Sequence, residues 1–290
     1  MRIVSFSDKG QAKIGLRTKD VVVDLSVAAP KLPRDMLAFI AGGKAVLAAA
    51  KKAAAKAKGK AVIAEKKVKY LPAVPNPGKI ICIGLNYVDH AAEAKMQKPV
   101  YPVLFGRFAS TLVAHRAPMI VPKCSSNFDY EADVVCVIGK RCRNVPRDKA
   151  LSVVYGWSLF NEGSIRDYQF KNGPSSQWTM GKNFDGTGGF GPEIATVDEL
   201  PKGAVGLRLM TRLNGKVLQD ANTRDMIFDV AEQIAVTSEV MTLEPGDIIV
   251  TCTPAGVGFA RNPQIFMKDG DVCEISLEGF GTLVNPIKNA

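Results

Sequence analysis

The sequence predicts a β-rich α+β protein in which a small N-terminal domain precedes a larger core. Three observations carry that expectation. Short apolar runs of strand composition recur along the chain, while few segments keep a helical period. The composition also breaks at LPAVPNPG, residues 71–78, which packs three prolines and a glycine into eight residues. Such a stretch suits an extended linker. Residues 1–70 are therefore expected to form the small domain, 71–78 the linker and 79–290 the larger core domain.

Taken in order, RIVSF, AKIGLRT and DVVVDLS read as strands parted by DKG and TKD turns, and a short helix is expected over Arg34–Ile40 after Pro30 and Pro33. In residues 42–69 Lys alternates with Ala at helix-compatible spacing, which suits a solvated helix face. Beyond the linker come KIICIGL (79–85), APMIVP (117–122), DVVCVIG (133–139), VYGWSLFNE (154–162), GLRLMTRLNG (206–215), GDIIVTCT (246–253) and DVCEISLEG (271–279). LNG and EPGD are turn signals beside such strands. Helices are expected over Asn86–Lys95 and over Thr223–Thr242, where Met226, Ile227, Val230, Ile234 and Val240 share an apolar face. Asp225 and Asp229 lie near the start of the second, where the helix dipole favours anions. No repeat period is evident.

Bulk properties exclude several classes. With 47% hydrophobic and 23% charged residues the chain is not disordered. No apolar run reaches the roughly 18 residues needed to span a bilayer, and MRIVSFSDKGQAKIG has no apolar middle of a signal peptide, so a cytoplasmic protein without a membrane partner is expected. The six cysteines form no C-x-x-C pair, and several sit in strand-like runs, so neither disulfides nor zinc are expected. The net charge of +10 comes largely from residues 42–69, and no aromatic lies between Phe39 and Tyr70. Without a stacking platform, no specific nucleic-acid partner is expected.

The chemistry concentrates elsewhere. FDYEADVVCVIGK sets Asp129, Glu131 and Asp133 at the mouth of an apolar strand. Alternation puts Glu131 and Asp133 on one face, where two like charges raise a carboxyl pKa or call for a cation between them. For the pair alone, a hard-cation site and a solvated strand end both fit. Glu162 ends a second apolar strand, and three carboxylates from two strands suit Mg²⁺ or Mn²⁺ better than zinc, with Ca²⁺ also an oxygen-seeking ion.

His90 lies three residues before Glu93, so the two can meet on one helix face as an oriented base or as a plain ion pair. Lys182, in the glycine-rich QWTMGKNFDGTGGFGP, could stabilise a developing enolate or oxyanion or be a surface lysine. The turn closing GDIIVTCTPAGVG could bind a carboxylate through hydroxyls and N–H groups, or simply end a strand. KNGPSSQ, residues 171–177, has the composition of a mobile lid.

Together these residues resemble the fumarylacetoacetate hydrolase family, and in particular its bacterial acylpyruvate hydrolase and 2-hydroxyhepta-2,4-diene-1,7-dioate isomerase-like branch. The matching segments are KIICIGLNYVDHAAE, FGRFASTLV, DYEADVVCVIGK, FNEGSIRDYQ, QWTMGKNFDG, NGKVLQDANTRDMIFDV and LEPGDIIVTCTPAGVG. The resemblance implies a mixed β-roll core behind a small N-terminal α/β domain and a homodimer. It also implies that Glu131, Asp133 and Glu162 hold Mg²⁺ or Mn²⁺, His90 and Glu93 activate water, and Lys182 assists as an electrophile. Thr253 would meet the substrate carboxylate, with Arg107 and Gln219 as further substrate-pocket residues. Relative to the family's usual pattern, Asp133 and Glu162 exchange Glu and Asp, and Cys252 stands where glycine is usual.

The expected activity is metal-dependent hydrolysis of a C–C bond in a β-diketo acid of the acylpyruvate or fumarylpyruvate type. The alternative is isomerisation or decarboxylation of a 2-hydroxymuconate- or oxaloacetate-type acid. A non-catalytic role, including one built on the basic helix, ranks last.

Overall fold

The computed structural model of the chain describes residues 1–171 and 177–290. Most of the segment expected to act as a lid, residues 172–176, lies outside the described residues.

A mixed sheet of 12 strands runs through the molecule. From one edge it passes through Val62–Ala64, Val21–Asp24, Gln11–Thr18 and Arg2–Asp8 into Gly188–Thr196, Val154–Glu162, Ala132–Ile138, Ile248–Val250, Ile80–Gly84 and Val103–Arg107. The junction between its two halves is antiparallel, with Arg2 opposite Ala195 and Ile3 opposite Ile194. The strands before the proline-rich stretch thus continue the sheet of the strands after it.

Alternation divides the central strands between two cores. Val134, Cys136 and Ile138 pack with Ile81, Ile83 and Trp157 on one face. Val135 and Val137 pack with Ile3, Leu16, Phe39, Ile80 and Phe160 on the other. The second core draws residues from both sides of the proline-rich stretch and buries Ala73 and Val74 of the stretch itself. Burying a side chain such as Phe39 completely contributes about 2–3 kcal/mol, so this seam is a substantial part of the core. A second sheet, Lys216–Asn222, Arg208–Leu213, Val272–Leu277, Gly281–Asn289 and Met119–Val121, covers the first core through Leu209, Ile275 and Leu283.

Several expected elements come out shorter, and in three of them a backbone turn or a tertiary bond sets the end. The Lys/Ala helix spans only Gly43–Ala54. Gly59 turns the chain at φ 58°, and Val62–Ala64 then pairs with Val21–Val23. The helix expected over Thr223–Thr242 is a 3₁₀ turn, Thr223–Asp225, and a helix Val230–Val240 capped by the Asp229 carboxylate, which accepts from Glu232 N. Between them Ile227 and Phe228 donate their N–H groups to the Asn86 backbone and side-chain oxygens, both at 2.8 Å. The strand expected over 246–253 stops at Val250 because Cys252 takes a positive φ of 93°.

Candidate active site

Glu131 immediately precedes the strand Ala132–Ile138, and Glu162 ends the antiparallel strand beside it. The register that sets Ala132 opposite Asn161 continues outward, with Glu162 N donating to Glu131 O at 2.9 Å. Directly opposed residues share a face, and so do residues two apart, so Glu131, Asp133 and Glu162 converge. Each offers an oxygen within 4.8 Å of the others, and all three are buried.

Cations flank the trio. Lys182 Nζ lies 2.6 Å from Glu131 Oε2 and 3.1 Å from Glu162 Oε2. Arg166 donates through Nε to Asp129 at 2.8 Å, while its Nη2 lies 2.6 Å from Glu131 Oε1 without a well-directed hydrogen bond. Arg107 stands 3.9 Å from Glu162 Oε1. Burial would raise the Glu131 carboxyl, but Lys182, Arg166 and His90 outweigh it and hold the group near about 2. Asp133 has no such cation in contact. Burial first, then Glu162 and Glu131, push it well above the usual carboxylate range. Lys182 is raised, because its two carboxylates outweigh the burial that alone would lower it.

Four buried carboxylates (Asp129, Glu131, Asp133, Glu162) thus face three buried cations (Arg107, Arg166, Lys182). Among the described residues, both Asp133 oxygens and Glu162 Oε1 have no hydrogen-bond partner. Unpaired buried oxygens are costly, and a hard divalent cation between these carboxylates would satisfy them with the ligand type it prefers. The trio fits such an ion.

His90 sits on the helix Val88–Glu93, its Nδ1 2.9 Å from Glu93 Oε1. Glu93 Oε2 accepts from Gly256 N at 2.8 Å, so the same carboxylate orients the imidazole and pins the PAGVG turn. Asn86 anchors the start of this region, its side chain bonding Phe228 N, Phe228 O and Thr251 O. An open cavity of about 450 Å³ brings His90, Glu131, Glu162, Arg166, Lys182 and Cys252 together under apolar walls that include Phe105, Trp178 and Phe259. Trp178 can lie against the end of the strand Ile80–Gly84 because Gly84 is bare: a Cβ there would come 2.2 Å from its ring. The indole meets Phe105 edge-on, with centroids 5.1 Å apart.

Asp133 lies beneath this cavity rather than on its lining, and Arg107, Gln219 and Thr253 also lie off the lining. Arg107 is buried behind Glu162, bonding Gly163 O and the Thr187 and Thr111 hydroxyls. Gln219 bridges two elements, accepting from Ala132 N and donating to the Thr253 hydroxyl at 2.7 Å. Gln219 and Thr253 thus make scaffold bonds that link the acidic strand to the TPAGVG turn. Arg166 and Asn86 received no role from the sequence. Arg166 follows Glu162 by four positions in FNEGSIRD, and a lone Arg beside three candidate carboxylates was the available signal. Asp129 accepts from Gly258 N and Phe259 N, which explains a third acid at the strand mouth that is not part of the trio.

Comparisons with known proteins agree with this arrangement. Residues 79–288 match the model of the fumarylacetoacetate (FAA) hydrolase C-terminal family. The chain is 36% identical over 291 residues to "Oxaloacetate tautomerase fahd2, mitochondrial" of Xenopus laevis, covering 99% of this chain and 90% of that protein. Among solved structures, the fumarylacetoacetate hydrolase of Exiguobacterium antarcticum superposes with a TM-score of 0.82 at 30% identity, covering all of both chains. The maleylpyruvate hydrolase of Sphingobium sp. SYK-6, solved with manganese(II) and pyruvate, gives 0.83 at 27% identity, again over all of both chains. With its acidic trio at the end of two paired strands of a strand-rich mixed fold, this chain belongs to the fumarylacetoacetate hydrolase family of metal-dependent enzymes.

Proposed function

We propose that the protein is a Mg²⁺- or Mn²⁺-dependent tautomerase of a short 2-oxo acid of the oxaloacetate type. The observation that carries this reading is His90, held by Glu93, on the wall of the same cavity as Lys182, Glu131 and Glu162. The relative that matches nearly the whole chain is named for that reaction. An ion held by Glu131, Asp133 and Glu162 would polarise the 2-oxo acid and add positive charge beside Arg107, Arg166 and Lys182, which favours an anionic substrate.

The chain's own groups do the rest. Glu93 accepts from His90 Nδ1, which leaves Nε2 to take a proton from the carbon next to the keto group and deliver it to the enolate oxygen, the reverse transfers restoring the ketone. The Lys182 ammonium, fixed in the wall, stabilises the negative charge that develops on the keto oxygen. Phe105, Trp178 and Phe259 limit water around both groups.

A second reading is C–C bond hydrolysis of an acylpyruvate-type acid, favoured by the neighbour solved with pyruvate and by a dyad that could equally activate water. Decarboxylation of an oxaloacetate-type acid remains a branch of the same chemistry. Oxaloacetate and a small acylpyruvate panel, each followed by ultraviolet absorbance with and without Mn²⁺, test these readings when products are weighed by mass spectrometry. Enol loss with no fragment supports the tautomerase. Two acids would replace it with the hydrolase, and CO₂ with the decarboxylase. We further propose a cytoplasmic homodimer, although the amphibian relative is named mitochondrial; cell fractionation and light scattering test these two points.

A further inference from the structure

Cys252 is an anomaly in the cavity wall. Its φ of 93° lies in the left-handed region that favours glycine, and a side chain there strains the backbone. Such strain persists only where the surroundings over-determine the conformation. They do so here. Thr251 N and Oγ1 both reach Val134 O at 3.0 Å, Asn86 Nδ2 reaches Thr251 O at 3.0 Å, and Gln219 Nε2 holds the Thr253 hydroxyl at 2.7 Å. The residues before and after Cys252 are fixed, so its backbone cannot relax.

The side chain is fixed as well. Cys252 Sγ accepts from Asn86 N at 3.1 Å and donates toward Thr253 O at 3.5 Å. It therefore stands as a neutral thiol of set orientation on the wall that also carries Ile83, Gly84, Leu85 and His90. Nothing in the proton transfer proposed above uses it. What it supplies is volume in the wall that it shares with His90, Glu131 and Glu162.

We infer that Cys252 is a specificity-determining residue: its thiol fills space beside the acidic trio and restricts the site to 2-oxo acids without a bulky group at the carbon next to the keto carbon. This rests on the proposed 2-oxo acid function. Removing the side chain admits larger acids, and the effect follows side-chain volume rather than thiol chemistry.

The test uses the Mn²⁺-loaded enzyme with Cys252→Gly, Cys252→Ala and Cys252→Ser. Thermal melts first establish that each variant is folded. Oxaloacetate is then compared with its 3-methyl and 3-propyl derivatives for kcat/KM. In parallel, Kd is measured by calorimetry for the unreactive analogues oxamate and N-propyl oxamate. The propyl-to-unsubstituted ratio is expected to rise about tenfold in Cys252→Gly, less in Cys252→Ala, and to stay near the parent value in Cys252→Ser. Equal ratios in the parent, Ala and Gly proteins overturn the inference, as does a Ser variant that shifts as far as Gly. If no oxo acid turns over but the oxamate Kd ratio moves as expected, the tautomerase reading fails and the steric role of Cys252 stands.

Discussion

Two groups of buried carboxylates lie on the same sheet and are treated in opposite ways. Glu193, on the strand Gly188–Thr196, is fully buried, and both oxygens are engaged: Arg17 Nη2 donates at 2.7 Å to Oε1, Arg17 Nε bonds Oε2, and Arg2 Nη1 adds a contact at 3.3 Å. At the other cluster Asp133 has both oxygens unpaired and Glu162 has one. A buried acid whose lone pairs are all met by arginine is closed and can only hold structure together. Buried acids left with free oxygens are open, and what completes them must come from outside the chain. The contrast assigns scaffold to one cluster and function to the other more sharply than burial or charge alone.

The largest effect expected from that contrast falls on the open cluster. Glu131→Gln removes a ligand and the partner of Lys182, and should lower metal-dependent kcat by at least about 10³-fold, the equivalent of about 4 kcal/mol. Steady-state kinetics with titrated Mn²⁺ check it, and undiminished turnover would remove Glu131 from the site.

In the closed cluster the same kind of change should strike stability instead. Glu193→Gln breaks a buried ion pair and should lower unfolding free energy by about 3–5 kcal/mol while leaving Mn²⁺ affinity alone. Urea denaturation and calorimetry separate the two quantities. A large change in Mn²⁺ affinity would show that the clusters are not independent.

His115 sharpens the picture further, because it belongs to the closed side. Burial, and then Arg116, push its imidazole down to about 4 from 6.5. A base with a depressed folded pKa is neutral in the fold while the unfolded chain binds protons. Its stabilising effect is therefore complete above about pH 6.5 and fades as pH falls toward 4, by on the order of 3 kcal/mol. His115→Gln should flatten this part of the stability profile relative to the parent; parallel profiles would rule the effect out.

The smallest effect is protection by metal. At a free Mn²⁺ concentration of about 100 Kd the parent should gain about 2.7 kcal/mol, seen as a raised melting temperature, and Asp133→Asn should lose most of that gain. Equal gains in both proteins would mean that the ion binds elsewhere.

Much of the open cluster was legible in the sequence because it depends on short-range geometry. Alternation alone puts Glu131 and Asp133 on one face, and Glu162 is announced by its place at the end of an apolar run. The His90–Glu93 contact follows from spacing on one helix face. What was not legible depends on atoms far apart in the chain. The role of Arg166 between Asp129 and Glu131 needs the two-stranded pairing of Phe128–Asp129 with Ser164–Ile165. The scaffold bonds of Gln219 and Thr253 need two elements to meet over a separation of 34 residues. Helix ends were overrun for the same reason: nothing in the apolar pattern at Ile227 tells that Asn86 will take its N–H.

The pairing of residues 2 and 3 with residues 195 and 194 also has a meaning in time. During synthesis Arg2–Asp8 pairs early with Gln11–Thr18, but its other neighbour, Gly188–Thr196, follows nearly two hundred residues later, and at about 5–20 residues per second that interval is about 10–40 s. Over that span the core that holds Ile3, Ile14, Leu16 and Phe39 lacks Phe190, Ile194, Ile248 and Val250. Contacts this distant in sequence close slowly, because the loop must be ordered before the pairing rewards it. Arg2 and Ile3 therefore wait for partners made nearly two hundred residues later, and this half-built sheet edge is where the growing chain is exposed to mispairing.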